Sequence, residues 1–192
     1  MTRITTAPNF YAHAELDIIK QFNLKKALSY VSMLGLYLEF GVWKGNSINF
    51  IASQVLAEQV VYGFDSWHGL PEDWINPRKC YPAGSFSADG IIPTVLPNVN
   101  LISGLFEDTI PKFGLTHIDP IAFAHVDCDL YSSTKTIFNH LGPLFVKGSV
   151  VVFDEYDRIG SEEKAFNEFL EEFDKTATAV FAIERQTTFI IN

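Results

Sequence analysis

The sequence predicts an α/β fold, a three-layer sandwich in which a mostly parallel sheet lies between two layers of helices. Segments typical of strands and of helices alternate along most of the chain, as in folds built from β-α-β units. The predicted strands are continuous apolar runs, which indicates burial on both faces of the sheet. The chain has 192 residues and a mass of 21.6 kDa. A single domain over residues 1–192 therefore accounts for the whole length.

Seven apolar runs are predicted as strands. They span residues 35–40, 60–64, 99–103, 121–126, 149–153, 177–183 and 187–191. Helical spacing of the apolar residues predicts helices over 47–57, 131–145 and 161–173. The last two strands are separated by a short connection, so we expect a hairpin that adds an antiparallel strand.

Two further regions complete the predicted domain. Residues 1–34 form an N-terminal helical region, with one or two helices starting near residue 12. Its expected apolar stripe contains Leu16, Ile19, Phe22, Leu28 and Val31. Residues 66–97 hold five of the nine prolines. Because that segment is too long for a plain connector, we expect a long active-site loop.

The charge balance excludes two classes of partner. Lys and Arg number 14 and Asp and Glu number 23, a net charge of −9 with a pI near 4.9. A nucleic-acid binder needs a basic surface, and so does a protein that binds anionic membranes. We therefore expect neither partner. With two cysteines, no long apolar run and no signal-peptide core, a cytoplasmic location is expected.

The first predicted strand ends in a glycine-rich turn that leads into a helix. Gly41 and Gly45 are separated by three residues, and Ser47 opens the helix. Glycines let the backbone approach a ligand closely, and a helix N-terminus presents free N–H groups. The spacing differs from the G-x-G-x-x-G of dinucleotide enzymes. A simple strand-to-helix turn is the alternative.

The next two strand ends carry groups suited to an adenosine. Asp65 follows the second strand, 24 residues after Gly41, and an acid there can accept hydrogen bonds from a ribose diol. Phe106, Glu107 and Asp108 follow the third strand and could edge an adenine ring. A surface Asp and a polar helix start are the alternatives.

Two acidic pairs follow neighbouring strands. Asp127 and Asp129 come after the fourth strand, and Asp154 and Glu155 come after the fifth. Close carboxylates repel unless a proton or a cation relieves them, and oxygen ligands suit Mg²⁺. Helix capping is the alternative. His68, in the long loop, is a candidate to face a substrate, whereas the remaining histidines carry no functional signal.

These segments together resemble a known family. The turn Glu39-x-Gly41-x-x-x-Gly45-x-Ser47 is similar to that of class I S-adenosylmethionine-dependent methyltransferases. The order and spacing of further segments resemble the macrocin O-methyltransferase family. They are Gly63-Phe64-Asp65-Ser66 with Gly69-Leu70-Pro71, Gly104-x-Phe106-x-Asp108-Thr109-x-Pro111, His125-Val126-Asp127-x-Asp129-x-Tyr131-x-Ser133-Thr134 and Gly148-x-x-Val151-x-x-Asp154-Glu155-Tyr156.

The resemblance implies a Rossmann-like, seven-stranded sheet and specific roles for the quoted residues. The cofactor-binding set is Glu39, Gly41, Gly45, Ser47, Asp65, Ser66, Phe106, Glu107 and Asp108. Glu39 would lie near the amino group of the cofactor and Asp65 at its ribose. Asp127, Asp154 and Glu155 would hold Mg²⁺, and Asp129 would be the general base. Glu155 stands where the family commonly has an Asp.

The predicted function is transfer of a methyl group from S-adenosylmethionine to a hydroxyl of a small molecule, a sugar or a secondary metabolite. Asp129, Asp127 and His68 are the candidate catalytic residues, with Mg²⁺ assisting. A metal-dependent glycosyltransferase using the D-x-D of Asp127 and Asp129 is one alternative. A non-catalytic cofactor-binding or partner-binding domain is another. The sequence leaves the oligomeric state open, with a homodimer as one option.

Overall fold

The computed structural model describes residues 13–76, 79–156 and 161–192. In chain order its elements are α1 (His13–Leu28), β1 (Leu36–Phe40), α2 (Asn46–Gln54), β2 (Val61–Asp65), β3 (Trp74–Asn76), β4 (Lys79–Tyr81), β5 (Val99–Ser103), α3 (Phe106–Thr116), β6 (Ile121–Val126), α4 (Tyr131–Leu141), β7 (Val150–Phe153), α5 (Glu162–Glu172), β8 (Ala177–Ile183) and β9 (Gln186–Ile191).

Seven of these strands form one sheet in the order β5-β2-β1-β6-β7-β9-β8. The pairs from β5 across to β7 are parallel, and β9 pairs antiparallel with both β7 and β8. The predicted fold class is therefore confirmed, including the antiparallel hairpin at the end of the chain. The order reverses direction between β1 and β6, which in open α/β sheets is where ligands bind.

Helices cover the sheet on both faces because the strands present apolar side chains to both. Phe40, Val126 and Phe153 join one core with α3, α4 and α5. Val61, Phe123 and two valines of β7, Val150 and Val152, join the other core with α1 and α2. All residues of β6 and β7 are buried. These are the apolar runs from which the sheet was predicted.

The structure corrects the predicted apolar stripe of the N-terminal region. Phe22 is 56% exposed, whereas Asn23, Leu24 and Ala27 are fully buried. Phe22 therefore does not lie on the buried face, whereas Leu28 and Val31 pack against the core as predicted. The buried amide of Asn23 accepts a hydrogen bond from the Thr188 hydroxyl of β9 at 3.4 Å. A pattern of apolar residues could not identify Asn23 as a buried position, because the polar partner that allows its burial lies in a distant strand.

The segment 66–97 contains local structure that was not predicted. Within it β3 and β4 pair antiparallel as a separate two-stranded sheet. Trp67 is 1% exposed and its indole N–H donates to the carbonyl of Trp43 at 3.1 Å. The carbonyl of Trp67 accepts hydrogen bonds from the backbone N–H groups of Ala88 and Gly90. The described part of the loop is thus anchored at the carboxyl edge of the sheet.

Candidate active site

The carboxyl edge of the sheet brings most of the predicted site residues together. Backbone hydrogen bonds continue the strand pairing past the strand ends: Gly41 N–H donates to Phe64 O, Asp127 N–H to Phe40 O and Asp154 N–H to Val126 O, all at 2.9–3.0 Å. The turns after β1, β6 and β7 are therefore held side by side. Their polar side chains leave the sheet at one place.

The glycine-rich turn after β1 approaches the turn after β6 very closely. Gly41 has φ +92°, and a Cβ built on it would lie 1.9 Å from the carbonyl oxygen of Asp127. Gly45 has φ +81° and is the N-cap of α2. Both positions therefore need glycine, for the close approach and for the left-handed backbone.

A cleft opens between α1 and the start of α2, next to this turn. Its lining includes Lys20, Leu24, Val42, Trp43, Ser47 and Asp127. The N-terminus of α2 faces this cleft with its free N–H groups, and Lys44 lies over the ring of Trp43, 4.2 Å from the centroid. The cleft thus combines apolar walls with groups that attract a carboxylate.

Asp65 holds the two turns that flank the cleft. Its Oδ2 accepts the N–H groups of Val42 and Trp43 at 2.8 and 2.7 Å, and its Oδ1 accepts that of Trp67 at 2.7 Å. The side chain therefore organises the backbone as well as marking the end of β2. An ionised carboxylate accepts about four hydrogen bonds, so these three N–H groups leave one acceptor position, on Oδ1, for a ligand hydroxyl.

Glu39 and His125 form a buried pair on adjacent strands. The two residues face each other in the register of β1 and β6, and both are fully buried. Nδ1 of His125 and Oε1 of Glu39 are hydrogen-bonded at 2.8 Å. Glu39 Oε2 and His125 Nε2 are buried without a hydrogen-bond partner among the described residues. A polar ligand next to the strand end would satisfy such atoms.

The two acidic pairs lie together and form what we call the acidic cluster, Asp127, Asp129, Asp154 and Glu155. Lys20 of α1 reaches into it: its Nζ donates to Asp127 Oδ2 and lies 3.2 Å from Asp154 Oδ1. The alternative was that the acidic residues cap the helices that follow them. At α4 this is not supported, because the N-cap is Leu130 and no side chain makes a capping hydrogen bond.

The hairpin β8–β9 supplies two further partners of the acidic cluster. Arg185 NH1 forms an ion pair with Glu155 Oε1, and its NH2 lies 3.9 Å from Asp154 Oδ2. Gln186 donates through its side-chain amide to Asp154 Oδ1. Sequence reasoning missed Lys20, Arg185 and Gln186. No local motif marks them, because each is far from the cluster along the chain.

Burial raises the pKa of two carboxyls of the acidic cluster. Burial raises the pKa of the Asp129 carboxyl well above its usual range, and the charges of Asp127 and Glu155 raise it further. Burial also raises the pKa of Asp127, and the charge of Asp154 adds to this while Lys20 opposes it. One carboxyl of the cluster, Asp129, is thus suited to accept a proton.

Asp154 and Lys20 stay ionised. Burial by itself would raise the pKa of Asp154, but Lys20, His125 and Arg185 hold it well below the usual range. Burial would lower the pKa of Lys20, but the charges of Asp127 and Asp154 raise it above the usual value. An ammonium group and a carboxylate therefore face each other in the middle of the cluster.

The remaining predicted site residues lie around this centre. Ser66 accepts a hydrogen bond from the His68 N–H at 3.1 Å, and His68 itself is exposed in the loop. Phe106 packs edge-on against Phe40, with ring centroids 5.9 Å apart. Glu107 and Asp108 are exposed in the first turn of α3. Their roles stay predictions.

One group of side chains in the described part of the chain offers metal-ligand atoms close together. It consists of His125, Asp127 and Asp154, whose ligand atoms lie within 4.8 Å of one another. It shares Asp127 and Asp154 with the predicted magnesium site but contains His125 in place of Glu155. Glu155 is instead paired with Arg185.

Comparisons with known proteins agree with this architecture. A family model described as a methyltransferase domain matches residues 38–156, more than half of the chain. Demethyldecarbamoylnovobiocin O-methyltransferase of Streptomyces niveus is 24% identical over 200 residues, which cover 93% of this chain and 75% of that protein.

Solved structures share the fold. The structure of the O-methyltransferase NovP has a TM-score of 0.73 at 21% identity, covering 94% of this chain and 82% of that one. A calicheamicin methyltransferase gives the same TM-score and identity over 94% of this chain and 80% of that one. Among the described residues no helix has both the length and the apolar character needed to cross a bilayer. This chain belongs to the family of methyltransferase domains and is a class I S-adenosylmethionine-dependent methyltransferase, as its strand-end motifs predicted.

Proposed function

We propose that this methyltransferase transfers the methyl group of S-adenosylmethionine to a hydroxyl oxygen of a small molecule, a sugar or a secondary metabolite. The observation that carries the proposal is the carboxyl of Asp129, which is half-buried, has a raised pKa and belongs to the acidic cluster that reaches the cleft at Asp127. The similar proteins add support, since they are named as O-methyltransferases, one of them for TDP-rhamnose.

The cofactor is proposed to lie along the carboxyl ends of β1, β2 and β5. Its methionine part would lie along the turn of Gly41 and Gly45 and enter the cleft at Ser47, where the α2 N-terminus favours a carboxylate. Its amino group would approach the buried carboxylate of Glu39, whose Oε2 has no described partner. Oδ1 of Asp65 would accept a ribose hydroxyl, and the segment from Phe106 to Asp108, with Ser66, would border the adenine.

The reaction is an in-line displacement in which positioning supplies much of the rate. The acceptor hydroxyl gives its proton to the Asp129 carboxylate while its oxygen forms a bond to the methyl carbon. The bond from that carbon to the sulfur breaks, and the electron pair stays on sulfur as S-adenosylhomocysteine forms. The proton then leaves Asp129 for water. The anchored loop 66–97 would exclude bulk water, with His68 at its exposed side.

Magnesium is the part of the predicted function that the side-chain arrangement fits least. Mg²⁺ needs oxygen ligands that converge at about 2.0–2.1 Å with near-octahedral geometry. Between Asp127 and Asp154 that position is taken by the ammonium group of Lys20, and Glu155 is paired with Arg185. The mechanism above therefore uses only side chains of this chain.

Replacing Asp129 by Asn tests the assignment of the base. We expect methyl transfer to fall by roughly a hundredfold or more, because proton transfer in the transition state is lost. Binding of S-adenosylmethionine, measured by calorimetry, should change by less than about threefold. Release of S-adenosylhomocysteine with a panel of hydroxylated sugars, nucleotide sugars and phenols measures turnover.

Asp119→Asn is the matched control, since Asp119 is an exposed residue before β6. An unchanged rate in Asp129→Asn would remove the residue from the mechanism. A parent protein that binds S-adenosylmethionine but turns over no hydroxyl acceptor would contradict the proposed reaction.

A further inference from the structure

We propose that Lys20 is the resident cation of the acidic cluster and that the cluster, in this chain, excludes divalent metal ions. The inference concerns the same site as the proposed function and deepens it, since it names what balances the carboxylates during methyl transfer.

The first support is the place that the ammonium group occupies. Lys20 Nζ donates to Asp127 and lies 3.2 Å from Asp154 Oδ1. These two carboxylates belong both to the predicted magnesium site and to the only metal-ligand group found among residues 13–76, 79–156 and 161–192. An ion bound between them would have to displace Lys20, because two cations at this spacing repel strongly.

The second support is that each predicted ligand already has a fixed donor. Glu155 is paired with the guanidinium of Arg185, and Asp154 also accepts the side-chain amide of Gln186. The two cations, Lys20 and Arg185, come from opposite ends of the chain and share one carboxylate, Asp154, at 3.2 and 3.9 Å. Their charges do what a bound Mg²⁺ would do, which is to allow several carboxylates to stay ionised together.

The third support is the anchoring of α1. Leu24 lies one helical turn after Lys20 and is fully buried, as is Ala27. Both belong to the core that also contains Val150 and Val152 of β7. The side chain of Lys20 is 23% exposed, so most of its stem is covered by protein. Lys20 is therefore held at the cluster by packing and is not a freely moving surface lysine.

The location of Lys20 also links it to the reaction. It lines the cleft together with Asp127, on the side proposed for the methyl donor and acceptor. In the proposed reaction its ammonium group would face the acceptor oxygen, on which negative charge develops as the proton leaves. It would stabilise that charge without a metal ion, since fixed charges in a water-poor site act strongly.

The test measures metal binding directly. Mn²⁺, a paramagnetic cation that prefers the same oxygen ligands as Mg²⁺, is titrated into the parent protein, Lys20→Met, Lys20→Arg and Lys25→Met, and free Mn²⁺ is followed by electron paramagnetic resonance. We expect Lys20→Met to bind Mn²⁺ at least about tenfold more tightly than the parent, because the competing charge is gone. Lys20→Arg keeps a cation and should remain like the parent.

Lys25→Met is the matched control on the same helix, because Lys25 is exposed. The double variant with Asp127→Asn should lose the gained Mn²⁺ affinity, which places the ion at the cluster. Tight Mn²⁺ binding by the parent, or no gain in Lys20→Met, would overturn the inference. Circular dichroism checks that each variant folds. If Lys20→Met does not fold, the comparison of Lys20→Arg with the parent keeps the inference testable.

A second arm separates this inference from the proposed function. Turnover of the parent protein is measured with a chelator and again with added Mg²⁺. We expect the same rate in both conditions, and a rate restored only by Mg²⁺ would overturn the inference while supporting methyl transfer. Failure of the function itself would appear differently, as absent turnover whether metal is present or not.

Discussion

Gly41 is the residue at which the backbone geometry of the site is most constrained. A Cβ at this position would lie 1.9 Å from Asp127 O, and its φ of +92° disfavours other residues. We expect Gly41→Ala to lower the free energy of unfolding by more than about 2 kcal/mol, since both the overlap and the backbone strain must be relieved. Urea denaturation measures the change.

The variant Gly84→Ala measures the cost of the backbone strain without the steric overlap of a Cβ. Gly84 has a similar φ of +81°, but nothing lies within 4 Å of a Cβ built there. Its substitution should cost only the left-handed backbone strain, about 1 kcal/mol. Equal losses of stability for the two variants would show that the close approach of Gly41 to Asp127 contributes nothing.

Glu162 is a buried carboxyl whose ionisation opposes folding. Burial raises its pKa well above the usual range, with the charge of Asp154 adding to the effect, and its Oε2 accepts the Glu155 N–H at 3.1 Å. Because the folded state holds the proton more tightly than the unfolded state, stability falls as pH rises from the unfolded pKa to the folded pKa.

Glu162→Gln removes this pH dependence while keeping an oxygen that can accept the hydrogen bond. We expect the variant to become more stable relative to the parent as the pH is raised from about 5 to about 8, because only the parent must release a proton that its folded state holds more tightly. Urea denaturation across that range measures it, with the exposed neighbour in Glu163→Gln as the control. A difference that stays constant with pH would contradict the assigned acidity of Glu162.

At the scale of elements, strands were predicted more accurately than the packing of α1. The runs at 121–126 and 149–153 are apolar on both faces, so their burial follows from composition alone, and β6 and β7 are indeed buried throughout. In α1 the buried face includes Asn23, whose partner Thr188 is 165 residues away. A local pattern of apolar residues carries no information about such a partner.

Trp67 is the most buried side chain in the described part of loop 66–97, with 1% of its surface exposed. Trp67→Ala should destabilise the protein by about 3–5 kcal/mol, because a large cavity forms and the bond to Trp43 O is lost. We also expect Trp67→Ala to be cleaved faster than the parent by a protease within 66–97, which mass spectrometry of the fragments measures. Ile75→Ala is the control, since Ile75 is 79% exposed in the same loop. Equal cleavage of both variants would mean that Trp67 does not anchor the loop.

At the scale of the whole molecule, the site could be predicted at the strand ends but not beyond them. A parallel sheet brings the residues after β1, β6 and β7 to one edge, so Gly41, Asp127 and Asp154 meet as the sequence predicts. Lys20 and Arg185 come from a covering helix and a terminal hairpin, and only tertiary packing brings them to the cluster. The balance of charge in the site is therefore a property of the complete fold.

Binding of a ligand to this site should be measurable as a gain in the stability of the folded protein. The residues assigned to S-adenosylmethionine come from turns after β1 and β2 and from α2, so binding should stabilise the folded state as a unit. At about 100 times its Kd a ligand adds about 2.7 kcal/mol, which appears as a rise in Tm. We expect this rise with S-adenosylmethionine and with S-adenosylhomocysteine, and none with NAD or UDP-glucose. The rise should be the same with and without Mg²⁺, because Lys20 keeps divalent ions out of the acidic cluster that borders the cleft. A rise with UDP-glucose that requires a metal ion would contradict both the cofactor assignment and the role given to Lys20.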